Sequence, residues 1–227
     1  MSAPAAVNEL VGGELEWKLE APLPPEGRSE NLPEWLEEIQ AFRARAFFAD
    51  TDRAKGNARD ADPLDPVSFH ILARHRGELL GSIRISFGVG RERGLAFFKD
   101  LGFQNADAWP NRIFDGSITS RWATAAGHRS LGLALRLVAG GFALSRYFGH
   151  ERSHAATATA NGQDRILMRC GARPALELGG RVMAERFAQQ TYMLYLAESE
   201  INPTFEGLIR DMGARLGLAA PAMRRAA

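Results

Sequence analysis

From Glu14 the chain alternates. Leu15, Trp17, Leu19 and Ala21 lie on one side and Glu14, Glu16, Lys18 and Glu20 on the other, a period of two that predicts a half-buried strand. After a Pro/Gly/Ser-rich loop from Pro22 to Glu30, Asn31-Leu32-Pro33-Glu34 has the form of a helix start, with Asn31 as cap. Leu36, Ile39, Gln40, Arg43, Ala46 and Phe47 keep helical spacing to about Phe48. The polar stretch 51–66 closes on Asp62-Pro63-Leu64-Asp65-Pro66, which neither a helix nor a central strand accommodates. Two strands are predicted over 67–76 and 79–87, joined at the Gly77-Glu78 hairpin signal. Then come a short helix near 96–101, a strand over 113–124, a long helix over 129–148, a strand over 153–159 and a helix over 161–170 that stops at Gly171. Two strands are expected between Pro174 and Ala197. A last helix opens at Asn202-Pro203, with Phe205, Leu208, Ile209, Met212 and Leu216 on one face.

No repeat and no linker divides the chain. The expected organisation is a loose tail over 1–12, one α/β domain over 13–200, and a C-terminal helix and tail over 201–227 packed on that domain. Composition narrows the class. At 45% hydrophobic and 24% charged, with a mean hydropathy of −0.22, the 227 residues read as a soluble globule. A formal net charge of +1 gives no general drive toward nucleic acid or an anionic surface. The single cysteine, Cys170, excludes an intrachain disulfide and a cysteine-rich metal site, and the five histidines show no zinc spacing, so no metal is expected. The N-terminus lacks a signal-peptide pattern, and Arg136, Ser145 and Arg146 interrupt the most lipophilic stretch, so no membrane span and a cytoplasmic location are expected.

The stretch Ser120-Arg121-Trp122-Ala123-Thr124-Ala125-Ala126-Gly127-His128-Arg129-Ser130-Leu131-Gly132-Leu133-Ala134 carries the chemistry best. A strand runs through a small-residue turn into a long helix whose first amides and dipole suit an anion, with Arg129 as a charge-assisted partner. Two readings stay open: a phosphate cradle, or glycines that only permit a tight turn and close helix–sheet packing. Asp62 and Asp65, each before a proline, also have an ordinary turn role. Arg84 equally suits a surface residue or a salt-bridge partner, and Cys170 beside Gly171 suits a small buried side chain.

Arg129-x-x-Gly132-x-Ala134, after a strand and opening a helix, resembles the pyrophosphate-binding motif of the GNAT superfamily of N-acyltransferases. The element order fits as well, which implies a GNAT-like mixed, mostly antiparallel sheet flanked by helices. Upstream, Arg43-x-x-x-Phe47, Asp62-x-x-Asp65, Gly81-Ser82-x-Arg84 and Ser120-Arg121-Trp122 resemble, in order, the signature of acyl-homoserine-lactone autoinducer synthases and the related long-chain N-acyl amino acid synthases. The resemblance implies a donor site at Trp122, Ala123, Thr124, Arg129, Ser130, Gly132, Ala134 and Asn161. It implies an acceptor site at Asp62, Asp65, Arg84 and Arg121.

Three positions depart from these patterns. Ile118 stands where autoinducer synthases carry a glutamate, residues 51–59 lack their tryptophan, and Leu167 stands where many GNAT enzymes have a tyrosine acid. The expected activity is therefore transfer of an acyl group from an acyl-carrier-protein or coenzyme A thioester to the amine of a small, amino-acid-like acceptor. The donor is acyl-phosphopantetheine or acyl-coenzyme A, no cofactor is tightly bound, and an acyl carrier protein is the expected protein partner. Amine attack would be direct, with proton transfer through a water relayed by Ser120, Asp115 or Asp62. The alternatives are an autoinducer synthase, a plain acetyl-coenzyme A transferase, and a thioester-binding protein without activity.

Overall fold

The computed structural model describes residues 15–24, 32–48, 58–128, 131–159, 162–185 and 189–218. Eight strands of the described residues form one sheet: β1 (Glu16–Glu20), β2 (Phe69–His75), β3 (Glu78–Phe87), β4 (Ser117–Thr124), β5 (Arg152–Ala158), β6 (Arg173–Pro174), β7 (Val182–Ala184) and β8 (Gln189–Ala197). Their order is β1-β2-β3-β4-β5-β8-β6, with β7 also on β8. Every pairing is antiparallel except β4 with β5.

Among the described residues six α-helices accompany it: α1 (Glu34–Phe48), α2 (Arg91–Asp100), α3 (Asn111–Asp115), α4 (Leu131–Tyr147), α5 (Gln163–Arg169) and α6 (Pro203–Arg215). Helices α4, α5 and α6 cover one face, where Leu137, Phe142, Phe205 and Met212 pack with Ile71, Ile83, Ile85 and Leu194. On the other face α1 places Ile39 and Phe42 over Leu72 and Ala123. Beside it, α2 and α3 place Phe98 and Phe114 over Ile118 and Met193. This two-layer cover of a mostly antiparallel sheet is the expected α/β architecture. Among the described residues no helix is long and apolar enough to cross a membrane.

The alternation in β1 holds, with Trp17 and Leu19 packed inward and Glu16 and Lys18 outward. Asn202 caps α6 by accepting from the amides of Thr204 and Phe205 at 3.0 and 3.1 Å. Gly171 ends α5 at φ +109°, where a Cβ would lie 2.1 Å from the Glu200 carbonyl oxygen. Three boundaries are corrected. Helix α2 starts at Arg91, ahead of the expected 96–101, because Gly94 as well as Phe97 and Phe98 turns into the core. Ile113, Phe114 and Asp115 are helical and the strand starts only at Ser117, because Ile113 and Phe114 both turn into the second apolar cluster. Strand β2 starts at Phe69, since Asp65–Val67 is a 3₁₀ turn. The two strands expected after Pro174 are present as β7 and β8, and the two-residue β6 at Arg173–Pro174 adds to them. The tail over 1–12 and the Asn31 cap lie outside the described residues.

Candidate active site

The parallel pair β4–β5 is short: only Ser117–Thr119 and Ser153–Ala155 are in register, and the strands part beyond them. Hydroxyls fasten the closed end. Ser117 Oγ lies 2.7 Å from Ser145 Oγ and 3.0 Å from Ser153 Oγ, and Thr119 Oγ1 lies 3.0 Å from Ser153 Oγ. Beyond that staple a narrow cleft of 70 Å³ water-accessible volume fills the split. Ser120 to Trp122 form one wall and Ala156 to Ala158 the other. Phe47, Phe97 and Leu101 close it on one side of the sheet, and Val138 and Leu167 on the other. The buried Thr157 hydroxyl, on this cleft, has no hydrogen-bond partner among the described residues.

Strand β4 carries a bulge here. Ser120 pairs with Arg84 and Ala123 with Ser82, so Arg121 and Trp122 together stand opposite Ile83, and Arg121 has φ +51°. A non-glycine residue in that region costs on the order of 1 kcal/mol or more and persists only when its surroundings hold it. The gain is geometric. Simple alternation would send Ser120 and Arg121 to opposite faces. With the bulge, both reach the face that carries α1 and α2: Ser120 Oγ accepts from Arg84 Nε at 3.0 Å, and Arg121 Nη2 donates to Asp62 Oδ2 at 2.5 Å.

Beneath that wall lies a buried ionic network. Asp65, fully buried, accepts from Arg43 Nη1 and Nη2 at 2.9 and 2.6 Å, from Arg84 Nη1 at 2.8 Å and from Gln40 Nε2 at 3.1 Å. Asp62 takes Arg84 Nη1 at 2.8 Å and the Leu64 amide at 2.8 Å. Asp60 faces Arg43 Nε at 3.1 Å and Arg121 Nε at 3.6 Å. Three guanidinium groups thus meet three buried carboxylates, and the exposed Asp100 adds a fourth at 3.7 Å from Arg121 Nη2. The Phe97 ring caps it, 5.0 Å from the Arg84 guanidinium carbon and 5.8 Å from that of Arg121.

The electrostatics follow from this pairing. Burial alone would raise the Asp62 carboxyl, but Arg84 and Arg121 overcome it and hold the group far below the carboxylate range. Burial likewise opposes ionisation of Asp65, and Arg43 and Arg84 bring it down to about 2. Burial pushes His70 down to about 4, so its ring is neutral at pH 7, and Nε2 donates to the Asp65 carbonyl oxygen at 2.9 Å. Burial raises the Cys170 thiol to about 12, which keeps it protonated and unreactive.

The candidate residues therefore fall in different places. Ser120, Arg121 and Trp122 line the cleft, with Ala123 and Thr124 continuing the same strand. Asp62, Asp65 and Arg84 join the network under it, together with Arg43. Asp115 is exposed at the end of α3 and is not part of the cleft wall. Gly132 and Ala134 lie in the first turn of α4, and Arg129, Ser130 and Asn161 fall outside the described residues. Ile118 is fully buried with Phe98 and Met193, and Leu167 lines the cleft. Asp60 was not marked as a candidate, although Asp60-x-Asp62-x-x-Asp65 shows it as a third acid. Gln163 also enters only here: Nε2 donates to the Trp122 carbonyl and Oε1 accepts from the Ala158 amide, each at 3.3 Å. Among the described residues no cluster suits a metal ion.

No family model matches the chain, and no curated protein matches it. Solved structures do. The coenzyme A-dependent acyl-homoserine lactone synthase BjaI, solved with SAM and isopentyl-CoA, is 15% identical with a TM-score of 0.61, over 92% of this chain and 95% of that one. The acyl-homoserine lactone synthase LasI is 16% identical with a TM-score of 0.60, over 88% and 96%. An acyl-CoA N-acyltransferase from Pseudomonas aeruginosa is 14% identical with a TM-score of 0.53, over 81% and 99%. The chain has the GNAT-like acyltransferase fold, which it shares with acyl-homoserine lactone synthases.

Proposed function

We propose that the protein is an N-acyltransferase that takes an acyl group from a coenzyme A or carrier-protein thioester and passes it to a small, amino-acid-like amine. The observation that carries this reading is the split between β4 and β5. An extended ligand arm bearing amides can enter such a split as an extra strand, bonding to main-chain groups on either side. The fold shared with BjaI, whose structure holds isopentyl-CoA, supports a coenzyme A donor.

In this reading the thioester lies between Trp122–Thr124 and Ala156–Ala158, with the Thr157 hydroxyl as an available partner. Arg129, Ser130 and Gly132 take the phosphate end, and Asn161 the arm. The amine attacks the carbonyl carbon, the C–S bond breaks, and the thiolate leaves. A thiol of pKa about 8.5 is a good leaving group, so Leu167 in the place of an acid is no obstacle. Amides near Ala123 meet the oxyanion, a contribution on the order of 3 kcal/mol.

The base is narrowed by the electrostatics. Asp62, held ionised so firmly by Arg84 and Arg121, is a poor proton acceptor. Ser120 is better placed: its oxygen accepts from Arg84, which leaves its own O–H to order a water at the cleft wall. Arg84, Asp62 and Asp65 spend their charge on one another, so the acceptor meets the network through Ser120 and Arg121. The autoinducer-synthase reading has the likeness to BjaI and LasI in its favour. Against it stands Ile118, sealed among aromatic and methionine side chains, where no ammonium group finds a hydrogen bond.

The test is a competition: one acyl-coenzyme A, an amino acid mixture and S-adenosylmethionine together, with products identified by mass spectrometry. N-acyl amino acids as the main product support the reading. Acyl-homoserine lactone as the main product makes the protein an autoinducer synthase.

A further inference from the structure

We infer that Gln163 is a built-in stand-in for the donor: its side-chain amide holds the hydrogen-bonding seat in the β4–β5 split and yields it to an amide of the thioester arm. This rests on the reading of the split as the thioester site. The geometry is that of one amide between two strands. Nε2–H points to the Trp122 carbonyl on β4, and Oε1 receives the Ala158 N–H on β5. A secondary amide in an extended arm presents the same donor and acceptor in the same order.

Three features make the seat exchangeable. Both bonds are 3.3 Å, beyond the usual 2.7–3.2 Å for N–H···O, so neither is strong. Gln163 is the first residue of α5, so its side chain turns away by rotating its own bonds while the helix stays in place. The side chain is half-buried and lines the cleft together with Trp122 and Ala158, so the incoming arm meets it directly. A tethered amide also competes better than water, because its effective concentration at the seat is fixed by the chain. Ligand-free protein therefore keeps the split bridged, and donor binding must first overcome that bridge.

The test uses coenzyme A as the probe, with calorimetry for affinity and amide hydrogen exchange at Ala158. In the wild-type protein the Ala158 amide is protected without and with coenzyme A. In Gln163→Ala, and in Gln163→Asn, whose amide is one methylene too short to span both strands, it exchanges faster in the free protein and regains protection on coenzyme A binding. Coenzyme A affinity rises by about three- to tenfold, the worth of a weak hydrogen bond no longer competed for. Unchanged or weaker affinity in folded variants overturns the stand-in role while leaving the thioester site intact. Ala158 exchange that does not respond to either variant overturns it as well. If coenzyme A binds neither the wild-type protein nor the variants, the coenzyme A form of the thioester reading fails, and the proposal falls with it.

Discussion

Replacing Asp65 with asparagine removes one negative charge from the buried network and almost nothing from its shape. Asp65 is fully buried and accepts from Gln40, Arg43 and Arg84. An asparagine keeps one acceptor oxygen but turns an NH₂ toward guanidinium donors, and of the buried carboxylates only Asp60 and Asp62 are then left for Arg43, Arg84 and Arg121, with the exposed Asp100 3.7 Å from Arg121. Breaking a buried ion pair by removing one partner costs about 3–5 kcal/mol. An independent figure comes from proton linkage. The Asp65 carboxyl sits at about 2 against an ordinary 3.8, so its ionised form contributes about 2 kcal/mol at pH 7. The two estimates bracket an expected loss of about 3 kcal/mol. Urea unfolding followed by tryptophan fluorescence reads it as a fall in midpoint of about 1–2 M at unchanged slope. The sign with pH is fixed as well. A depressed carboxylate stabilises above pH 3.8 and loses that stabilisation as pH falls toward 2, so the gap between wild type and Asp65→Asn closes in that window. A midpoint within about 0.2 M of wild type at pH 7 would refute the claim that this charge holds the network.

In α2, Gly94→Ala has two opposed effects: alanine is the better helix former by about 1 kcal/mol, but its Cβ would lie 2.3 Å from the buried Phe114 ring. Overpacking wins, and thermal unfolding shows a net loss of about 1–2 kcal/mol. Arg129→Ala, which tests the phosphate cradle implied by the sequence motif, weakens coenzyme A binding by about tenfold or more in calorimetry, since a charge-assisted contact is worth about 1.5–3 kcal/mol. Chain length is read through kcat/KM: with Phe97, Leu101, Val138 and Leu167 around the cleft, each buried methylene adds about 0.8 kcal/mol until a cutoff. A flat profile from acetyl to dodecanoyl would instead identify a plain acetyltransferase.

Where periodicity was long and punctuation strong, the sequence was readable. The alternation of β1, the Gly77-Glu78 hairpin, the Asn202-Pro203 helix start and the Gly171 stop all correspond to local physics that needs no distant partner. Residues 113–115 were read wrongly because two adjacent apolar side chains, Ile113 and Phe114, suit a strand as well as one helical turn; packing on α2 decides. The site divides in the same way. Asp62, Asp65, Arg84 and Ser120-Arg121-Trp122 stand out as an ordered set of residue types. That Arg121 shares a face with Ser120 depends on a bulge with positive φ at an arginine, which no residue preference signals. Gln163 is invisible for a related reason: its role exists only because Trp122 and Ala158, 41 and 5 residues away, part at that height.

The central claim is direct acyl transfer from a thioester to an amine at the β4–β5 split, and a single-turnover experiment with acyl-labelled coenzyme A tests it most directly. Protein in excess of donor is mixed with the amine, quenched over time and resolved by mass spectrometry for free thiol, N-acyl product and acylated protein. Direct transfer requires thiol and N-acyl product to appear together at one rate, with no label on the protein at any time. Label accumulating on the protein before product would contradict direct attack. Donor that binds but yields no product with any amine would reduce the protein to a thioester-binding one.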